Sequence, residues 1–237
     1  IIIGTHSLFQ KKINFKNLGL AIIDEQHKFG VKQREKISST YNKQPHLIYM
    51  SATPIPRTLA LVLYESMNYI TIEDKPCNRK IIQTKTINDR QREEVITLVN
   101  NHLNQNMQVY WVCTRVEDTL DDDVQSVKIF SETIKKSFPK HKVSLLHGKI
   151  SSEEKINIIN NFQLGKIDIL VATSVIEVGV DCPNANCLVI ENSELFGLAQ
   201  LHQLRGRIGR GDAQGFCYLI HSCKTNAESI DKLKYLE

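Results

Sequence analysis

The sequence predicts an α/β protein with two parallel-sheet domains, the first incomplete at its amino-terminal side. Three observations carry that prediction. Short apolar runs at 20–23, 47–50 and 169–172 stop abruptly at carboxylates or hydroxyls, as strands buried on both faces do. Stretches with helical spacing separate these runs, so strand and helix alternate, which is the pattern of a parallel sheet covered by helices. The periodicity breaks at Glu73-Asp74-Lys75-Pro76-Cys77-Asn78, dividing the chain into 1–75 and 76–237.

Residues 1–4 read as a strand ending in the small polar turn Gly4-Thr5-His6-Ser7, which suits an ordinary turn or a phosphate group. The run 20–23 is the organising strand, because it stops at Asp24-Glu25-Gln26-His27. Unpaired charge is expensive to bury, so two carboxylates there serve either an acidic turn or a partner such as a divalent cation or a reacting water. A basic segment from Lys28 to Lys36 leads to the strand 47–50, which ends in Ser51-Ala52-Thr53-Pro54-Ile55-Pro56-Arg57. Pro56 suits the first turn of an apolar helix over 57–64.

After the break, strands are predicted at 81–87, 109–112, 143–147, 167–172, 187–190 and 216–220. Helices are predicted at 89–104, 124–138, 152–162 and 198–204, with a further helical pattern over 227–237. Val95, Leu98, Val99 and Leu103 share one face of the first of these. Ser151-Ser152-Glu153-Glu154 opens the third, serine capping and acids in the first turn. The acidic run 117–123 reads as a solvated loop.

Composition narrows the class. Hydrophobic residues make up 41% of 237, enough for a sizeable core. Of six cysteines, Cys113, Cys187 and Cys217 lie inside apolar runs, which favours reduced thiols in a cytoplasmic protein over a metal site. The sequence holds no apolar segment near membrane-spanning length and no signal-peptide pattern. Net charge is +4; Lys and Arg outnumber Asp and Glu by 10 to 6 up to Lys75 and match them at 20 to 20 thereafter. Nucleic-acid contacts must therefore come from local placement rather than a general basic field. The chain opens at Ile1-Ile2-Ile3 inside a strand-like run and ends in a helical pattern without a stop signal, which reads as a fragment.

A second constellation lies at Gln203-Leu204-Arg205-Gly206-Arg207-Ile208-Gly209-Arg210. On a helix, Gln203, Arg207 and Arg210 share a face. Gly206 and Gly209 would each cost about 1 kcal/mol relative to alanine in a helix interior, which points to close approach of another chain or a ligand. Guanidinium forks suit phosphate oxygens, and an arginine at a transferring phosphoryl group is worth roughly 10³–10⁵ in rate. Upstream, the run 169–172 ends in Thr173-Ser174, and His147-Gly148 ends another strand.

Together these residues resemble superfamily 2 helicases. DEQH at 24–27, SATPIPRT at 51–58, LVATSVIEVGVD at 170–181 and QLRGRIGR at 203–210 are similar to motifs II, III, V and VI. The longer strings DEQHKFGVKQRE, QVYWVC, GVDCPNA and GLAQLHQLRGRIGRG resemble the bacterial ATP-dependent DNA helicases that remodel branched DNA. The resemblance implies RecA-like domains: 1–75 as the carboxyl-terminal part of the ATP-binding domain, and 76–237 as the helicase C-terminal domain. It implies ATP and Mg²⁺ as cofactors and branched or forked duplex DNA as partner.

By the same resemblance, Asp24 holds Mg²⁺ through water and Glu25 polarises the attacking water. Gln26, His27, Ser51 and Thr53 couple nucleotide state to movement. Arg207 and Arg210 reach the γ-phosphate with Gln203 beside them, and Gly179 and Asp181 lie near the nucleotide. Thr5, His147, Gly148 and Thr173 contact the DNA backbone. The motor of a transcription-repair coupling translocase has very similar SATPIPRT and GLAQLHQLRGR strings, and a non-catalytic nucleic-acid-binding fragment is a third reading. The chain departs from the family in two places. No phosphate loop G-x-x-x-x-G-K-S/T occurs, so the isolated chain is expected not to hydrolyse ATP. Lys28 stands where the family has Arg, keeping the charge but not the fork.

Overall fold

The computed structural model describes residues 1–9, 15–25, 45–51, 68, 70–72, 80–113, 122–173, 182–211 and 213–237. The chain folds as two compact units, Ile1–Ile70 and Thr71–Glu237.

In the first unit, β1 (Leu20–Ile23) and β2 (His46–Tyr49) pair in parallel, Leu20 opposite His46 and Ile23 opposite Tyr49. Ala21 and Ile23 pack on Leu18, Leu47 and Tyr49. Leu20 and Ile22 point the other way and are 49% and 56% exposed, so β1 covers one face rather than the two expected. A four-residue run of uniformly apolar side chains carries no alternation from which to tell these cases apart. Nor does the strand predicted for residues 1–4 form. That run has no ladder partner among the described residues and leads into a 3₁₀ turn, His6–Phe9, closed by Leu8 N–H donating to the Thr5 carbonyl at 3.0 Å. The helix predicted over 57–64 and the break at 73–78 lie outside the described residues.

The second unit is built on six strands: β3 (Gln83–Asn88), β4 (Gln108–Val112), β5 (Val143–Leu146), β6 (Ile169–Ala172), β7 (Ala185–Ile190) and β8 (Phe216–His221). They lie in the order β3-β8-β7-β4-β6-β5, and every neighbouring pair is parallel. Every residue of β4, β6 and β7 is buried, as their largely apolar runs require, and Gln108 and Asn186 are the polar residues buried with them.

Among the described residues, five helices cover this sheet: α1 (Arg92–Asn104), α2 (Asp122–Ser137), α3 (Ser152–Gln163), α4 (Leu198–Arg205) and α5 (Ala227–Lys234). The two-residue strand period sorts the core between them. Tyr110, Val112, Leu170, Leu188 and Ile190 pack on one face with Phe162 of α3, Leu201 and Leu204 of α4 and Leu233 of α5. Val109, Trp111, Val171 and Val189 pack on the other with Val95, Val99 and Leu103 of α1 and Ile134 of α2.

Local signals explain the element ends. Ser151 caps α3, its Oγ accepting from the Glu154 N–H at 3.2 Å, which is worth about 1 kcal/mol. At the edge of the sheet, the outward N–H of Thr86 in β3 donates to Glu237 Oε1 at 2.6 Å. Cys113, Cys182, Cys187 and Cys217 are buried cysteines, and burial pushes the Cys217 thiol up to about 12, which leaves it unreactive. No helix among the described residues is long and apolar enough to cross a membrane.

From β4 the chain goes out to β5, returns through β6 and then crosses to β7 on the other side. Such reversals leave a crevice at the carboxyl ends of parallel strands, and there the sheet carries Cys113, His147, Thr173 and Glu191.

Candidate functional site

In the first unit the site is the carboxyl end of β1. Asp24 is exposed, and its Oδ1 accepts the Glu25 N–H at 2.8 Å. Glu25 sits at φ 51, in the left-handed region that non-glycine residues rarely occupy. Residues held in such conformations cluster at functional sites. The turn separates the two acids: Asp24 faces water, and Glu25 is partly sheltered. The ladder continues past Ile23, whose carbonyl accepts the Met50 N–H at 2.8 Å, so half-buried Ser51 follows at the same end of the sheet. Thr5 is exposed, with its Oγ1 3.0 Å from Ser7 Oγ. Gln26, His27 and Thr53 lie outside the described residues.

In the second unit, the arginine segment corrects the sequence reading. Helix α4 stops at Arg205; Gly206 is its C-cap at φ −64, and Gly209 follows at φ 62. Arg207 and Arg210 therefore do not share a helical face with Gln203, and neither glycine lies in a helix interior. The apolar period misleads because Ile208 is buried like a helical residue although the backbone has already turned. The close approach at Gly209 comes from the chain itself: a Cβ there would lie 3.3 Å from Ile82 Cγ1.

The three arginines divide. Arg205 turns inward, its Nη1 donating to the Leu236 carbonyl at 2.6 Å. Arg207 is half-buried. Arg210 is exposed, its Nε donating to the Gly206 carbonyl at 3.2 Å. The inward role of Arg205 was not legible, since its partner is a backbone carbonyl far along the chain.

His147 and Thr173 end the neighbouring strands β5 and β6, and the Thr173 N–H donates to the Leu146 carbonyl at 3.3 Å. His147 Nδ1 and Thr173 Oγ1 are shielded from solvent and lack a hydrogen-bond partner among the described residues. Buried polar atoms are nearly always paired, so this pair suits an incoming oxygen such as that of a phosphodiester. Burial and then the Lys128 charge hold the His147 pKa below its ordinary value, and Lys155 donates to the Gly148 carbonyl at 2.8 Å. Gly179 and Asp181 lie outside the described residues; Gln203 is half-buried on α4.

One buried charge escaped the sequence reading. Glu191, next after β7, accepts from Trp111 Nε1 at 2.9 Å and from Arg92 Nη2 at 2.6 Å. Burial raises its pKa and the Arg92 charge opposes that rise. The available signal was the one that singled out Asp24, a carboxylate closing an unbroken apolar run.

Comparison with known proteins agrees with this architecture. Residues 86–212 match the family described as helicase conserved C-terminal domain, and residues 1–62 match DEAD/DEAH box helicases. Over its whole length the chain is 44% identical to the ATP-dependent DNA helicase RecG of Treponema pallidum (strain Nichols), and 41% identical to that of Escherichia coli (strain K12). It spans 35% of each of these relatives, about a third of their length. The structure of RecG bound to a three-way DNA junction covers 99% of the chain at 40% identity and a TM-score of 0.75, the match taking in 30% of that protein. S. cerevisiae Dbp5 bound to RNA and ADP BeF3 shares the fold at a TM-score of 0.67 and 16% identity, covering 98% of this chain and 60% of that one. The parallel-sheet α/β architecture is thus the RecA-like helicase fold.

Proposed function

We propose, from the premise that this chain belongs to the helicase conserved C-terminal domain family, that it is the motor portion of an ATP-dependent DNA helicase of the RecG kind, remodelling branched or forked duplex DNA in the bacterial cytoplasm. The observation that carries this reading is Glu25, a carboxylate held at φ 51 where a parallel strand meets solvent, directly after the exposed Asp24. On this reading 1–75 is the carboxyl-terminal part of the ATP-binding domain and 76–237 the helicase C-terminal domain.

Asp24 offers a hard oxygen donor at an exposed strand end, which fits Mg²⁺, a cation that keeps several of its waters. The ion, when bound with ATP, neutralises phosphate charge. Glu25 orients and polarises the water that attacks the γ-phosphate, its backbone fixed by the Asp24 bond. Arg207 and Arg210 stabilise the charge developing on that phosphate, with Gln203 beside them. Gln26, His27, Ser51 and Thr53 relay nucleotide state, while Gly179 and Asp181 line the nucleotide. Thr5, His147, Gly148 and Thr173 take the DNA backbone, reading shape and charge rather than base sequence. The chain lacks the phosphate loop, so alone it turns over little or no ATP.

The test uses the full-length protein. Arg210→Ala is expected to lower DNA-stimulated ATP hydrolysis by about a hundredfold or more while ATP binding persists. Near-normal turnover would remove Arg210 from catalysis. The similarity of SATPIPRT and GLAQLHQLRGR to transcription-repair coupling translocases sustains a second reading. Displacement of stalled RNA polymerase without unwinding of forked duplexes would favour it over the first.

A further inference from the structure

The carboxyl edge of the six-stranded sheet buries a charge that none of the proposed motor roles uses. Glu191 is 4% exposed, and its two carboxylate oxygens are taken by different donors. Trp111 Nε1 reaches Oε1 at 2.9 Å from the middle of the sheet, where Trp111 pairs with Val189. Arg92 Nη2 reaches Oε2 at 2.6 Å from the first residue of α1. The Arg92 guanidinium also lies 5.6 Å from the Phe130 ring centroid on α2. A cation at a helix amino terminus works against the helix dipole. The carboxylate and the ring account for the placement of Arg92; the helix does not.

The segment that follows Glu191 is tied down residue by residue. Asn192 takes φ 46, and Ser193 Oγ donates to the Ile220 carbonyl at 3.0 Å. Lys232 Nζ donates to the Glu194 and Phe196 carbonyls at 3.2 and 2.8 Å. Gly197 then opens α4, its N–H donating to Gln200 Oε1 at 3.1 Å. That helix carries Gln203 and leads into the turn of Arg207 and Arg210.

We propose that Arg92 is a positioning residue for the arginine turn: by clamping Glu191 against Trp111 it fixes the segment 191–197, and with it α4 and the placement of Arg207 and Arg210. The proposal rests on the helicase reading. Without Arg92 the buried carboxylate keeps Trp111 but loses its cation, and an uncompensated buried charge is relieved by moving toward water or by taking up a proton. Misplacing a catalytic group by about 1 Å costs on the order of 10²-fold in rate, so a small shift of the segment is enough to matter.

The test compares Arg92→Met, Glu191→Gln and the double variant in the full-length protein. Methionine keeps an apolar stem against Phe130. Glutamine keeps an acceptor for Trp111 and removes the charge that needs a cation. Arg92→Met is expected to lower DNA-stimulated kcat by about tenfold or more, with the KM for ATP and the affinity for forked DNA within about twofold. The double variant is expected to recover kcat to within about threefold of the parent. A folded double variant as slow as Arg92→Met overturns the proposal, as does parental turnover in Arg92→Met. A loss of DNA affinity that Glu191→Gln does not repair also overturns it, placing Arg92 on the DNA instead. If Arg92→Met does not fold, the double variant still decides: folded with near-parental kcat it supports the clamp, and anything less overturns it. A parent protein without DNA-stimulated hydrolysis would sink the helicase reading itself, which none of the variant outcomes does.

Discussion

Asp24 and Glu191 are the same signal met twice, a carboxylate closing an apolar strand, and the fold places them in opposite environments. Asp24 is exposed, where a hydrated cation can reach it; Glu191 is enclosed and answered by Arg92 and Trp111. Sequence shows the placement of each acid but not its partners, because those come from strands and helices distant along the chain. His102 makes the same point and yields a measurable consequence. It is buried on α1, with Nε2 2.7 Å from Tyr218 Oη and its ring stacked 4.1 Å from Phe216. Burial lowers its pKa, and it lowers those of His147 and His202 too. The unfolded chain, with histidine near 6.5, then binds more protons than the folded one. The stability these groups contribute is therefore complete above about pH 6.5 and lost as pH falls through the window below it. Glu191, shifted upward, titrates in the opposite sense, so the decisive readout is a comparison of variants. His102→Gln is expected to flatten the dependence of Tm on pH between about 6.5 and 5 relative to the parent. An unchanged slope would show that His102 does not carry it.

At the scale of elements, the central strands were legible because β4, β6 and β7 are apolar at nearly every position and buried on both faces. The end of α4 was not. Leu201, Leu204 and Ile208 keep a helical spacing and all are buried, while the backbone leaves the helix between the second and third of them. Positive φ at Gly209 belongs to the fold alone and has no trace in side-chain periodicity. Gly209→Ala is expected to destabilise the second unit by about 1–2 kcal/mol, since a left-handed alanine is strained and its Cβ would press on Ile82. Thermal melting measures it. A variant as stable as the parent would mean that the turn accepts another backbone conformation. If turnover falls further than stability does, the turn is also what aims Arg207 and Arg210.

Across the whole molecule, the chain divides into two compact units, Ile1–Ile70 and Thr71–Glu237. Among the described residues, the two sheets differ in how far their strands are enclosed, β4, β6 and β7 being buried at every position and β1 at alternate ones. The second wraps its sheet in two large apolar clusters, whereas the buried cluster described for the first has Ala21 and Ile23 at its centre. Native-state hydrogen exchange is expected to follow that contrast, with the amides of β4, β6 and β7 slowest and those of β1 and β2 faster by about tenfold or more. Equal protection in both sheets would contradict it. The alternation of strand and helix made this architecture readable, and the Arg205 bond to the Leu236 carbonyl was hidden because it joins segments far apart in sequence.

The bond between the Thr86 N–H and Glu237 has a consequence for life in a crowded solution. β3 borders the sheet, and a bordering strand offers unpaired backbone groups to any extended chain that drifts past. At Thr86 the offer is already taken, by a carboxylate whose charge is costly to strip of water. A stray strand seeking to extend the sheet must first evict it, which makes the open flank a poor template for aggregation.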